Sequence, residues 1–281
     1  MQKTLKKYWP VFVLPTLIAF AIAFILPFVI GLYLSFCDFT TITNATFTGF
    51  ENYKTAFAAG QNFLYSFSFT ALFTVISIVT VNVIAFVLAY FLTKKLKGTN
   101  FFRTVFFMPN LIGGIVLGYI WQILLNGILG HFGRTLTYSS SYGFWGLIIL
   151  MNWQQVGYMM IIYIAGIQNI PGELIEAAKM DGASNWQLLK SVTIPMVMPS
   201  ITICTFLTLT NSFKLFDQNL ALTAGEPSNN SQMLALNIFE TFYGRTGWEG
   251  VGQAKAVIFF IIVAVIALAQ NRLTRTKEVQ Q

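Results

Sequence analysis

Two groups of residues in this sequence have types and spacings that can do work. The first is a short charged passage, Glu176-Ala177-Ala178-Lys179-Met180-Asp181-Gly182-Ala183, set between two long apolar runs. Ala177, Ala178, Gly182 and Ala183 offer little side chain, so another backbone can approach closely, while Glu176 and Asp181 hold the passage in water. The second group is uncharged and lies inside apolar runs: Asn152, Gln154, Gln155 and Tyr158, then Thr208, Asn211, Ser212 and Leu215. The last four fall at i, i+3, i+4 and i+7, one face of a helix. Amides and hydroxyls of this kind exchange hydrogen bonds with a polar solute or with one another. No nucleophile–base pair and no metal-ligand spacing is visible, so neither a catalytic residue nor a metal site is expected. His131 is the only histidine, and Cys37 and Cys204 are too few for a disulfide framework or a zinc site.

Composition says what must position these groups. Hydrophobic residues make up 56% of the 281-residue chain and charged residues 10%, against about 25% in a soluble domain. The net charge of +7 does not point to nucleic acid, because the basic residues cluster at the ends of apolar segments. Six uncharged runs are long enough, with their flanks, to cross a hydrocarbon core of about 20 residues of helix. They predict spans near 10–36, 64–93, 103–126, 144–170, 192–219 and 252–272, hence an all-α membrane protein in one transmembrane domain over 1–281. The first run follows Lys3, Lys6 and Lys7 but is too long for a signal peptide and has no small-residue cleavage site, so it is expected to remain as a span.

Between the fourth and fifth spans, at about 171–191, Pro171 suits a first helical turn, with Glu173 and Glu176 near its positive end. Ser184-Asn185-Trp186-Gln187 has the form of a capping box opening a second short helix. The expectation is a helix, a glycine turn and a helix: a docking knuckle. Lys and Arg are concentrated at the N-terminus, at Lys94, Lys95, Lys97 and Arg103, at Lys179 and Lys190, and at Arg272, Arg275 and Lys277, twelve against three to five on the other side. That asymmetry predicts that both termini and the knuckle are cytoplasmic.

The knuckle sequence, followed by Ile194-Pro195, resembles the EAA loop of bacterial ABC importer permeases, with Val192 and Ile194 as mild departures. Phe102-Arg103-Thr104, Met108-Pro109, Trp121, Gly166-Ile167-Gln168-Asn169-Ile170-Pro171 and Ser212-Phe213-Lys214-Leu215-Phe216-Asp217 resemble the carbohydrate-uptake group and its maltose-type first permease. Thr223-Ala224-Gly225-Glu226-Pro227 is similar to a loop of that subunit and departs from it at Ala224 and Glu226. The similarity runs from about residue 10 to the end.

The resemblance implies the six-span type I importer permease fold in the bacterial cytoplasmic membrane and a sugar, specifically an oligosaccharide, as cargo. It implies a second, different permease, two ATPase subunits and an extracytoplasmic sugar-binding protein as partners. It also implies that Glu176, Ala177, Ala178, Asp181, Gly182 and Ala183 couple to the ATPase. Gln154, Gln155, Tyr158, Thr208, Asn211 and Ser212 fall where that subunit contacts sugar; their other reading is interhelical glue. The chain has no Walker-type glycine loop, so ATP is expected on separate subunits and no cofactor on this one. Glycine- and proline-marked positions (Pro109, Gly113-Gly114, Pro195, Pro199) are places for helices to bend, or simply common membrane-helix residues. Lys214 and Asp217 are expected to pair within one helix, with an anionic solute such as an acidic sugar or polyol phosphate as the alternative use of Lys214. An ion-coupled secondary transporter is the reading from another class, and it lacks the membrane acids such a carrier uses. Trp9, Trp121, Trp145 and Trp248 suit an interfacial belt.

Overall fold

In the computed structural model, residues 2–58, 60–94 and 97–275 are described, and most of them are helical. Lys95 and Lys277, used in the orientation argument, lie outside the described residues, as do the side chains of Lys3, Lys6, Lys7 and Arg275. Uninterrupted apolar sequence gives helix here because a backbone in hydrocarbon must satisfy its own hydrogen bonds.

The helices are α1 (Gln2–Phe20), α2 (Leu26–Leu34), α3 (Glu51–Ala56), α4 (Phe63–Leu92), α5 (Thr99–Phe107), α6 (Gly114–Gly130) and α7 (Ser140–Gln168). There follow α8 (Gly172–Met180), α9 (Asn185–Leu188), α10 (Ile194–Met196), α11 (Met198–Phe213), α12 (Asp217–Leu222), α13 (Leu234–Tyr243) and α14 (Glu249–Arg275). A π-helical turn, Ala21–Ile25, joins α1 to α2. A two-stranded antiparallel ribbon, Cys37–Asp38 against Thr46–Phe47, is a minor addition to the all-helical expectation.

Four helical stretches are long and apolar enough to span a bilayer: Trp9–Leu34, Phe63–Leu92, Ser140–Gln168 and Glu249–Gln270. Two bent pairs complete six, Thr99–Leu111 with Gly114–Gly130 and Asn185–Met196 with Met198–Phe213, bent by 102° and 67°. The spans expected near 103–126 and 192–219 are thus bent pairs rather than single continuous helices, with the bends at the glycine- and proline-marked positions. In the first, a 3₁₀ turn runs over Met108–Leu111 around Pro109, and Gly113 takes an extended conformation (φ −60°, ψ 141°). In the second, Pro195 and Pro199 bracket the bend, and α11 ends at Phe213. Lys214 and Asp217 therefore do not share a helix, and they form no ion pair; both are exposed.

The chain divides into two compact units. One comprises 1–63 and 238–260. Its core joins Leu34, Cys37 and Phe39 with Ala45 and Phe242, and Asn52 donates to the carbonyls of Ser35 (3.1 Å) and Cys37 (2.8 Å). Lys255, in the second turn of α14, is fully buried, donating to Thr241 Oγ1 at 2.8 Å.

The other unit comprises 64–237 and 261–281. Phe73, Leu117, Leu147, Leu150, Met151 and Leu222 form one of its cores; Val81, Ala85, Met159, Met160, Tyr163 and Cys204 belong to a second. Both cysteines are buried and free. Lipid is as apolar as leucine, so close packing rather than water exclusion holds such helices together, and small residues set the distances. A Cβ on Gly157 of α7 would overlap the Phe106 carbonyl of α5, and one on Gly118 of α6 would lie 2.6 Å from Ala221 Cβ of α12.

Candidate functional site

The knuckle is built as its sequence predicts. Helix α8 ends in a paired closure: Gly182 N–H donates to Lys179 O (3.1 Å) and Ala183 N–H to Ala178 O (3.0 Å), with Gly182 at φ +78°. Those two bonds define a Schellman motif. Ser184 then caps α9 reciprocally, its Oγ accepting from Gln187 N–H (3.3 Å) and its own N–H donating to Gln187 Oε1 (2.8 Å). Glu176, Ala177, Asp181 and Gly182 are exposed, and Ala178 and Ala183 half-buried. A Cβ on Gly182 would touch nothing within 4 Å. The glycine is required by its left-handed backbone, not by crowding within this chain. Two exposed apolar side chains escaped sequence reasoning: Met180 is 88% and Trp186 69% exposed.

The membrane-depth polar residues divide among several contacts. Asn211 Nδ2 of α11 donates to Gln155 Oε1 of α7 at 3.3 Å. Gln154 turns elsewhere, donating to the Ile112 carbonyl at the break in the third span (3.3 Å) and accepting from Gln218 Nε2 of α12 (2.8 Å). Thr208 Oγ1 donates to Cys204 O (2.8 Å) and accepts from Asn82 Nδ2 (3.3 Å), and Asn82 Oδ1 accepts from Tyr163 OH (2.8 Å). Asn152 Nδ2 donates to Thr80 Oγ1 at 3.0 Å. Ser212 is fully buried and its Oγ has no partner. Tyr158 is half-buried, its ring 6.4 Å from that of Phe107.

The structure thus brings Gln155 and Asn211 together and places Gln154, Tyr158, Thr208 and Ser212 around them in separate contacts. Together they form an uncharged seam linking α4, α7, α11 and α12. Sequence reasoning missed Thr80, Asn82, Tyr163 and Gln218. Thr80 and Asn82 were legible as polar groups in the uncharged run before residue 93. Gln218 was not, because its role depends on the helix break at Lys214.

No three His, Cys, Asp or Glu side chains gather into a metal-binding group among the described residues. His131 is exposed, its Nδ1 2.9 Å from Gly127 O. Trp9 and Trp145 are about half exposed, and Trp121 packs edge-on to Trp153 with centroids 5.7 Å apart.

Residues 97–278 match the family described as binding-protein-dependent transport system inner membrane component. The chain is 45% identical over 282 residues to the probable starch degradation products transport system permease protein AmyD of Thermoanaerobacterium thermosulfurigenes, covering 97% of this chain and 95% of that protein. It is 32% identical over 290 residues to the multiple sugar-binding transport system permease protein MsmF of Streptococcus mutans serotype c, covering 99% of each. Its fold is similar to a chain in the crystal structure of a bacterial ABC transporter that imports the acidic polysaccharide alginate, with a TM-score of 0.83, 22% identity and 98% of both chains covered. With its spans, its bent pairs and its knuckle, the chain belongs to the family of inner membrane components of binding-protein-dependent transport systems.

Proposed function

We propose that this chain is the first of two different permease subunits of an ATP-driven importer of sugars, most simply neutral oligosaccharides. The observation that carries the cargo assignment is the uncharged seam, in which Gln155–Asn211 and Gln154–Gln218 present amides and no charge at membrane depth. A sugar hydroxyl donates and accepts as an amide does, so it can replace a partner in these pairs without importing charge. End-to-end similarity to permeases named for starch products and multiple sugars supports the same reading.

In this reading the chain forms half of the translocation path as one permease domain, with both termini and the knuckle in the cytoplasm. A pair of ATPase subunits binds ATP and grips the knuckle through Glu176–Ala183, an extracytoplasmic binding protein delivers the sugar, and this chain carries no cofactor. ATPase closure would move the knuckle, and with it α7 and α11 on either side, so that access alternates.

The test replaces Asn211 with Ala in the assembled transporter. Uptake and substrate-stimulated ATP hydrolysis should fall while the assembly melts nearly as before. Unchanged uptake with a stability loss of about 0.6 kcal/mol, the average for a membrane hydrogen bond, would reduce the pair to interhelical glue. A second reading is favoured by one observation: exposed Lys214 is not neutralised by Asp217. Loss of uptake confined to acidic sugars in Lys214→Gln would assign an anionic cargo, because a lone ammonium is a point attraction for negative ligands.

A further inference from the structure

A cavity of about 470 Å³ lies beside the seam, lined by Ile84 and Leu88 of α4, Val105 and Phe106 of α5, Met108, Pro109 and Ile112 at the span break, and Asn152, Trp153, Val156 and Gly157 of α7. Asn152 is the one polar residue in that lining. The break itself makes the space, since α5 leaves the axis of α6 by 102° just where the lining residues Met108, Pro109 and Ile112 stand. Several walls are open to the surroundings: Ile84, Val105 and Trp153 are each more than 40% exposed.

One end of this apolar space is basic. Arg103, on the same short helix as Val105 and Phe106, donates Nη2 to the Leu92 carbonyl at 3.1 Å. Leu92 is one turn beyond Leu88, about 6 Å along α4, so the guanidinium is held just past the rim. Its Nε is shielded from solvent and has no hydrogen-bond partner. Lys94 lies over the Tyr90 ring at 4.4 Å, and Lys94 and Lys97 are exposed. An apolar slot with exposed walls, with an unsatisfied donor just past one rim and two exposed lysines within five residues of Leu92 in the sequence, matches the two halves of an anionic phospholipid. Basic pockets between membrane helices take such head groups.

The geometry points to a resident phospholipid site, with an acyl chain in the cavity and an anionic head group on Arg103, Lys94 and Lys97. This assignment needs only the membrane setting and is independent of the cargo. It commits to lipid over a partner helix because the basic mouth has no use in a purely apolar helix contact.

The test is native mass spectrometry of the transporter assembly taken from vesicles of equal parts phosphatidylglycerol and phosphatidylcholine. Wild type should retain phosphatidylglycerol in excess of the mixture. Arg103→Gln should cut that excess by about fivefold, the worth of one basic residue at an anionic surface, while still retaining neutral lipid. Leu88→Trp, which fills the slot, should lose the retained lipid of both kinds. A photo-crosslinker at Ile84 should capture lipid. No excess in wild type, an excess indifferent to both substitutions, or capture of a partner protein at Ile84 would overturn the site.

Discussion

Gly182 holds a left-handed backbone (φ +78°) in which no side chain is crowded. A left-handed residue with a Cβ costs about 1–2 kcal/mol, less for Asn. Transport should therefore fall in the order Gly182, Gly182→Asn, Gly182→Val, with membrane insertion unchanged because insertion depends on the spans. Gly182→Asp should abolish transport, adding charge at the proposed docking surface. Uptake together with pull-down of the ATPase checks both, and full uptake in Gly182→Val would mean that the Schellman turn is dispensable. At this scale the turn and cap of the knuckle were legible, since Gly182, Ser184 and Gln187 act on their immediate neighbours, whereas the exposure of Met180 and Trp186 was not. The seam was legible only as residue types. Helical periodicity put Thr208, Asn211 and Ser212 on one face, but their partners, Asn82 for Thr208 and Gln155 for Asn211, come from helices over 50 residues away in sequence.

Among the elements, the close contact of α5 with α7 rests on a missing side chain. Gly157 faces the Phe106 carbonyl, which a Cβ would overlap, so Gly157→Val has to push backbone aside. Overpacking of this kind costs about 1–3 kcal/mol, and the assembly should melt at a lower temperature, whereas Gly172→Val, at a glycine with open space around it, should leave the melt unchanged. Equal melting of the two variants would remove the packing argument. Sequence punctuation located both broken spans, at Pro109 with Gly113 and at Pro195 with Pro199. The angles of 102° and 67° were not legible, because the turn is fixed by what each half packs against after the ladder is interrupted. Gly118 shows this: its Cβ position is filled by Ala221 of α12, an element invisible until the fifth span is seen to stop at Phe213.

For the whole molecule, the proposed orientation and energy source are open to direct measurement. The purified chain alone should hydrolyse no ATP, lacking a phosphate-cradling glycine loop; appreciable turnover would sink the subunit reading. In intact cells, a cysteine at Trp186 should be closed to a membrane-impermeant thiol reagent and one at His131 open to it, with native Cys37 and Cys204 buried and silent. The opposite labelling pattern would invert the topology inferred from Lys and Arg. Class, span number and family were readable from apolar run lengths and one loop, since lipid imposes those on any sequence. Lys255, buried on Thr241, was not.

Gln155–Asn211 and Gln154–Gln218 give the proposed path a further property. Each of these four amides already has an internal partner, whereas Ser212 Oγ and Asn152 Oδ1 are buried without one, so the seam meets its own hydrogen-bonding needs only in part. If these amides do line the route, a passing sugar trades places with a bond that was there before it and leaves that bond to re-form behind it. In that reading, the re-formed amide pairs help to close the route between one passage and the next.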